Sequence, residues 1–410
     1  MVALGPFKPD MTTAVVVLPS STYRASDFFS AAESLGVDLI VASERPAPLD
    51  MGDRYVQIDC SDPAAAAETI ARLGETSPID GVVAADDAGV LVAANAARLL
   101  GLRGNDPEAA LATRDKLLMR ARLAAAEVDQ PAFAGAGPDE DIAEIGARVG
   151  YPLVIKPLDR SASQGVIRID RPDELDAAAT LIRAIVGAGA TLLLESYAPG
   201  AEVAVEGIIR NGELAVLAVF DKPDTGEGPF FPETIFVTPS RLPPPDLEEA
   251  KRVAAAAIRG LDLGHGPVHV ELRVAGGRAR VIEVAARSIG GLCSRSLGFG
   301  LMGTTLETLI LRNALGLDKP ELQRENVASG VLMIPTPRSG RLRAVEGERE
   351  TRSIPGITGL DITMVPGQMV VSPPEGDAYL GFVYARADTA DAVETALRAA
   401  RDTLEVQLEG

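Results

Sequence analysis

Residues 268–287 read Val268-His269-Val270-Glu271-Leu272-Arg273-Val274-Ala275-Gly276-Gly277-Arg278-Ala279-Arg280-Val281-Ile282-Glu283-Val284-Ala285-Ala286-Arg287. Apolar residues alternate with polar ones on either side of Ala275-Gly276-Gly277-Arg278, the pattern of two strands joined by a hairpin turn. Glu271 and Glu283 fall in opposite strands, so the hairpin can set their carboxylates side by side. Two inward carboxylates repel unless a cation or a proton lies between them. Magnesium suits such a pair, because it takes one or two carboxylates and completes its shell with phosphate oxygens and water. Arg287 follows Glu283 by one helical or two strand repeats and precedes Ser288-Ile289-Gly290-Gly291. There it can neutralise charge on a phosphoryl or acyl oxygen, or simply pair with either glutamate.

Upstream, Tyr151-Pro152-Leu153-Val154-Ile155-Lys156-Pro157 is an apolar strand ending in a lysine. Burying an unpaired ammonium is costly, so Lys156 needs an anionic partner, either a phosphate or a structural carboxylate. Arg160-Ser161-Ala162-Ser163-Gln164-Gly165-Val166 is a turn of small residues whose amides and hydroxyls can cradle phosphate oxygens. It is not a Gly-x-x-x-x-Gly-Lys-Ser/Thr loop. Lys116, in Thr113-Arg114-Asp115-Lys116, falls on a helix expected from Pro107 to Ala125, as either a phosphate ligand or a solvated charge. In Leu192-Leu193-Leu194-Glu195-Ser196-Tyr197-Ala198-Pro199-Gly200-Ala201-Glu202, an adenine ring could lie against the connector while Glu202 accepts ribose hydroxyls. The alternative is a plain β-connection with exposed acids.

The first hundred residues alternate strand and helix: Ala14 to Leu18, Ser26 to Leu35, Leu39 to Ala42, Ala64 to Leu73, Gly81 to Ala84 and Ala88 to Leu100. That order predicts an open parallel sheet with helices on its faces. Its first turn, Pro19-Ser20-Ser21-Thr22-Tyr23, lacks Gly-x-Gly-x-x-Gly, so a nicotinamide site is not supported. This turn and Asp86-Asp87 still end predicted strands, where ligands of open sheets bind, though polar loops capping helices would look the same.

Composition narrows the class. At 410 residues the chain exceeds one hydrophobic core. A net charge of -19 argues against a nucleic-acid partner. Cys60 and Cys293 are too far apart in sequence to suggest a close-spaced metal motif or a disulfide framework. Met1 to Asp10 has no long apolar core, so no secretory signal is expected; the apolar runs are far short of the roughly 20 residues needed to span a bilayer. A cytoplasmic setting is the expectation.

The succession Lys116, Lys156, a glycine-containing loop, Glu195 to Glu202, Glu271, Glu283, Arg287 resembles the ATP-grasp superfamily of ligases. Within it, Gly228-Pro229-Phe230-Phe231-Pro232-Glu233-Thr234 and Glu283-Val284-Ala285-Ala286-Arg287 are similar to the L-amino acid ligases that make dipeptides, the bacilysin synthetase type, and Gly381-Phe382-Val383-Tyr384-Ala385-Arg386 to their carboxy-terminal module. The resemblance implies an α/β and α+β fold: an N-terminal open parallel α/β domain (1–105), a central lid subdomain (106–190), a core with the metal site (191–315) and a C-terminal mixed-sheet part (316–410). It implies ATP on Lys116 and Lys156, covered by Ser161, Ser163 and Gly165, with Glu195, Ser196 and Tyr197 along the adenine and Glu202 at the ribose. Glu271 and Glu283 would hold Mg2+, two ions with Mn2+ able to substitute, and Arg287 would be the catalytic residue that stabilises an acyl phosphate. Glu233 would anchor a substrate ammonium and His269 would orient Glu271, although a surface acid and a core histidine are the commoner outcomes; Gly290 and Gly291 would border the substrate. Ala285 stands where many members carry asparagine, which removes a third side-chain metal ligand.

The expected reaction joins a carboxylate to an amine, both amino acids, through an acyl phosphate with release of ADP and phosphate. The rivals are an ATP-grasp ligase acting on a non-amino-acid carboxylate in purine or secondary metabolism, and an inactive nucleotide-binding regulator. Retention of Glu271, Glu283 and Arg287 together weighs against the regulator. The partners are small-molecule carboxylate and amine substrates, without nucleic acid or membrane, and with a homodimer left open.

Overall fold

The computed structural model describes residues 12–20, 22–46, 51–224, 226, 228–317 and 323–409. Met1 to Asp10, and Ser21 of the first turn, lie outside the described residues. Strands β1 (Thr13–Val17), β2 (Asp38–Ser43), β3 (Tyr55–Gln57) and β4 (Gly81–Ala84) form a parallel sheet in the order β3-β2-β1-β4. Helices α1 (Ala25–Leu35) and α2 (Pro63–Gly74) connect strands of this sheet, and α3 (Val90–Leu100) follows β4. β1 is buried along its whole length, which suits its run of valines in a sheet covered on both faces. The expected alternation is therefore present.

The helix expected over Pro107 to Ala125 is broken into α4 (Pro107–Ala112) and α5 (Lys116–Ala125). The Asp115 carboxylate accepts the Leu117 and Leu118 N–H groups and so caps a new helix. Lys116 thereby becomes the first residue of α5 and is buried. Ala109, Ala110, Met119 and Leu123 of these helices pack in one core with Val203, Val205 and Val270.

Strands β5 (Phe133–Ala136), β6 (Leu153–Pro157), β7 (Ile167–Ile169) and β8 (Leu192–Ser196) form a separate antiparallel sheet in the order β5-β8-β6-β7. Helices α6 (Ile142–Val149) and α7 (Leu175–Val186) share its core. This sheet stands where the resemblance implies a lid, and is called the lid below; α4 and α5 pack outside its core, and β8, placed in the third segment by that resemblance, is hydrogen-bonded within it.

Past Gly200 the chain enters β9 (Ala201–Arg210), β10 (Glu213–Asp221), β11 (Ile235–Thr238), α8 (Pro244–Gly260), β12 (His265–Ala275), β13 (Arg278–Ala285), α9 (Leu306–Ala314) and β14 (Ala328–Ile334). It closes with β15 (Gly340–Glu346), α10 (Glu348–Arg352), β16 (Ile357–Ile362), β17 (Met369–Val370), β18 (Gly381–Ala387), α11 (Ala390–Thr403) and β19 (Glu405–Glu409). One antiparallel sheet runs β13-β12-β9-β10-β11-β14-β18-β16, and a small one runs β17-β15-β19. The last segment thus extends the sheet of the third through β14, β18 and β16 instead of standing apart. Gly200 makes the crossing from lid to large sheet possible. Its φ is 118°, and a Cβ there would stand 2.3 Å from the Val274 carbonyl oxygen.

Candidate active site

A cavity of about 390 Å³ opens between the lid and the large sheet. Lys116, Lys156, Ser161, Ser163, Glu195, Ser196, Tyr197, Glu202, Glu233, His269, Glu271, Glu283, Arg287, Gly290 and Gly291 all line it. Residues from α5, β6, β8, β9, β12, β13 and four loops therefore converge. Gly165 does not. Its φ is 71°, which suits the tight turn, but its N–H donates to the Pro374 carbonyl at 2.8 Å and is not offered to a phosphate.

On the lid side, the buried Glu195 carboxylate is held on both oxygens, by Arg120 Nε at 2.5 Å and by Lys156 Nζ at 2.7 Å. Burial opposes its ionisation, but Arg120 and Lys156 outweigh burial and hold it at about 2. Burial in turn lowers Lys156, with Glu195 working the other way. Arg120 also donates to the Val281 and Ile282 carbonyls, at 2.8 and 2.6 Å, so it ties the lid strand to β13. Both Glu195 oxygens thus already accept from cationic donors. Lys116 Nζ stands 3.1 Å from Glu283 and 2.5 Å from the Arg160 carbonyl.

On the large-sheet side, Glu271 and Glu283 are direct cross-strand partners, so both side chains project from the same face. Glu271 meets Lys222 at 3.0 Å and His269 Nε2 at 3.3 Å. Burial raises Glu271, yet Lys222 and His269 bring it well below the usual carboxylate range. His269 Nδ1 donates to the buried Glu206 at 3.0 Å; burial disfavours the imidazolium, but Glu206 and Glu271 raise His269 to about 9. Glu206 is fixed in turn by the Ile289 N–H. Glu202 pairs with Lys222 at 2.5 Å and Arg273 at 2.7 Å, and Glu233 with Lys222 at 3.0 Å. Glu233 is pushed up by burial and by Glu271, against Lys222.

Arg287 finds its partner elsewhere than the sequence suggested. Its Nε lies 2.9 Å from Asp87 at the end of β4, not on either glutamate, and Asp87 also takes Arg114 at 3.0 Å. Burial raises Asp87, but the two guanidinium groups bring it down to about 2. The parallel sheet thus reaches the cavity through Asp87. Gly291, at φ 58°, leaves room that a Cβ would take from Phe382, 2.6 Å away. Cys293 lines the cavity as a buried free thiol that burial pushes up.

Lys222, Arg120, Arg273, Glu206 and Tyr379 escaped sequence inspection. One signal was available: Phe220-Asp221-Lys222-Pro223 repeats the strand-lysine-proline ending of Ile155-Lys156-Pro157. Tyr379 had none, since its hydroxyl reaches Glu233, at 3.4 Å, from 146 residues away.

Sequence profiles match three stretches: an ATP-grasp N-terminal domain at 29–104, an ATP-grasp domain at 149–296, and an L-amino acid ligase C-terminal domain 2 at 332–409. The chain belongs to the ATP-grasp superfamily. Its C-terminal stretch is the part that matches an L-amino acid ligase domain. The ATP-grasp chain is 24% identical over 406 residues to the uncharacterized protein y4rH of Sinorhizobium fredii, covering 96% of this chain and 83% of that one. It is 29% identical over 249 residues to the alanine–anticapsin ligase of Bacillus subtilis, covering 54% of this chain and 51% of that one. The match thus spans about half the length of that ligase. The L-amino acid ligase structure from Bacillus licheniformis superposes with a TM-score of 0.81 at 24% identity, covering 98% and 100% of the two chains. Among the described residues of this ATP-grasp protein, no helix is long and apolar enough to cross a membrane.

Proposed function

We propose that this ATP-grasp protein joins a carboxylate to an amine, both from amino acids, through an acyl phosphate with release of ADP and phosphate. The observation that carries this is the cross-strand pair Glu271 and Glu283, set with Lys116, Lys156 and Arg287 around one cavity. Among the described residues no group of three His, Cys, Asp or Glu could hold an ion. A donor set of two carboxylates fits Mg2+ that arrives with its phosphate oxygens, two ions and replaceable by Mn2+. Bound there, Mg2+ would neutralise the charge of the transferring phosphoryl group.

Lys116 and Lys156 hold the phosphates, with the Ser161 and Ser163 hydroxyls over them. The Glu195–Tyr197 backbone lines the adenine and Glu202 the ribose. The substrate carboxylate attacks the γ-phosphate in line, and Arg287, steadied by Asp87, stabilises the resulting acyl phosphate while the amine attacks. Glu233 anchors the ammonium of the first amino acid, Gly290 and Gly291 border it, and His269, cationic at neutral pH, orients Glu271. A cytoplasmic setting belongs to the same proposal, and a homodimer stays open.

Phosphate release should be measured with Mg2+ and ATP against single and paired amino acids, with mass spectrometry of the product. A dipeptide is expected from at least one pair. Phosphate release with non-amino-acid carboxylates alone would replace the amino acid assignment, and neither release nor ATP binding would end the ligase assignment.

A further inference from the structure

Lys222 directly follows the last residue of β10 and is almost fully buried, yet its single ammonium meets Glu202, Glu233 and Glu271 at 2.5, 3.0 and 3.0 Å. Three carboxylates saturate its three N–H donors. They are not equally dependent on it. Glu202 has Arg273 as a second cationic partner and Glu271 has His269, whereas among the described residues Glu233 has Lys222 as its one cationic partner, with the neutral Tyr379 hydroxyl and the Glu271 carboxyl beside it. Two of the three carboxylates are also those assigned to incoming cations, Glu271 to Mg2+ and Glu233 to a substrate ammonium. Each arriving cation takes one contact from Lys222.

We propose that Lys222 is an exchangeable counter-cation, which yields Glu271 to the metal and Glu233 to the substrate ammonium and turns to the carboxylate of that same substrate. The role rests on the ligase function above and specifies its acyl substrate as an α-amino acid. In such a molecule the ammonium nitrogen and the carboxylate carbon hang from one carbon, about 2.5 Å apart. An ammonium on Glu233 therefore places its carboxylate beside the Lys222 ammonium, 3.0 Å from the same glutamate, and next to the metal-binding Glu271. A carboxylate without the α-ammonium leaves Lys222 on Glu233. Lys222 is thus a substrate-orienting residue and, in the empty site, a placeholder for charge.

The test is the Mg2+ dependence of binding of the non-hydrolysable analogue AMP-PNP to wild type and Lys222→Met, with phosphate release read beside it. A purely structural lysine would weaken Mg2+ and nucleotide together when removed. An exchangeable one competes with the metal, so its loss should lower the Mg2+ midpoint by at least about threefold, the scale of one partly screened ion contact. Phosphate release with α-amino acids should fall at least about a hundredfold in the same variant. If Lys222→Met does not fold, Lys222→Met/Glu233→Gln removes one of the carboxylates left unpaired, and the same midpoint decides. An unchanged or raised Mg2+ midpoint overturns the exchange, as does full retention of phosphate release. Failure of wild type to bind AMP-PNP with Mg2+ would instead strike the ATP assignment itself.

Discussion

The two walls of the cavity, counted with the buried Arg120 and Glu206 that back them, carry opposite excesses of charge. On the side formed by the lid and α5, Lys116, Lys156 and Arg120 face Glu195 and Glu283, so cations lead. On the large-sheet side Glu202, Glu206, Glu233 and Glu271 crowd around Lys222, Arg273 and His269, so acids lead. A site built for its own stability would pair charges one to one, because a charge left over in a buried place is costly. Here the surplus differs in sign across the gap, which suits a ligand with phosphates on one side and a metal and an ammonium on the other. The folded state tolerates the imbalance only because each wall distributes it over shared contacts.

Glu283 joins the walls, since it stands in the large sheet and pairs with Lys116 at 3.1 Å. Glu283→Ala should leave the fold intact, because the half-exposed side chain contributes no core volume, while turnover falls about a hundredfold or more. Full activity in a folded Glu283→Ala protein would sink its metal role. Glu195 lies wholly on the cation-rich wall, and its effect should appear as stability. Its carboxyl sits at about 2 in the folded chain against 4.5 for a free one, a depression. Its contribution is therefore complete above pH 4.5 and lost as pH falls towards 2, on the order of 3 kcal/mol in all. Denaturant midpoints measured across that window should drop for wild type and be flatter for Glu195→Gln, which starts lower because Lys156 and Arg120 lose their shared partner. Identical acid limbs in the two proteins would show that Glu195 does not carry this pH dependence.

The two walls also differ in how far they could be read from sequence. Lys156, Glu271 and Glu283 were legible because each interrupts an apolar strand, where a charge demands an explanation. Lys222 carries the same strand-lysine-proline mark as Lys156 but opens a polar loop, so its burial was not suspected. Asp87 could be suspected only as a strand-end acid; that it clamps Arg287 depends on how the parallel sheet docks, which no local pattern encodes. In the fold, β1, β2 and β4 show themselves through buried β-branched runs, while β3 and β17, of three and two residues, are too short to display an alternation. The break before Lys116 was missed because Asp115 reads equally well as a surface residue inside a longer helix.

Asp87 offers a sharper look at how the first domain serves the cavity. Asp87→Asn keeps the shape but gives up the charge that holds both Arg287 and Arg114. If Arg287 works on the acyl phosphate, turnover should fall about tenfold or more, the scale of one lost hydrogen bond to a charged group, with AMP-PNP affinity little changed. Equal loss of both would mean that Asp87 merely keeps the domains together.

The smallest effect is expected on the loop that links the cation-rich wall to the carboxy-terminal part. Gln164 Nε2 donates to the Glu375 carbonyl at 2.6 Å, beside the Gly165 N–H bond to Pro374. These two contacts hold the 161–165 turn over the cavity from outside the lid. Gln164→Ala removes one and leaves the backbone bond, so AMP-PNP affinity should weaken by only about two- to tenfold. Hydrogen exchange separates the causes. If the turn is held by residues 374–375, exchange at the Gly165 amide should quicken in Gln164→Ala even without nucleotide. A variant that loses affinity while that amide stays protected would place Gln164 on the ligand instead, and the turn would then be closed by phosphate alone.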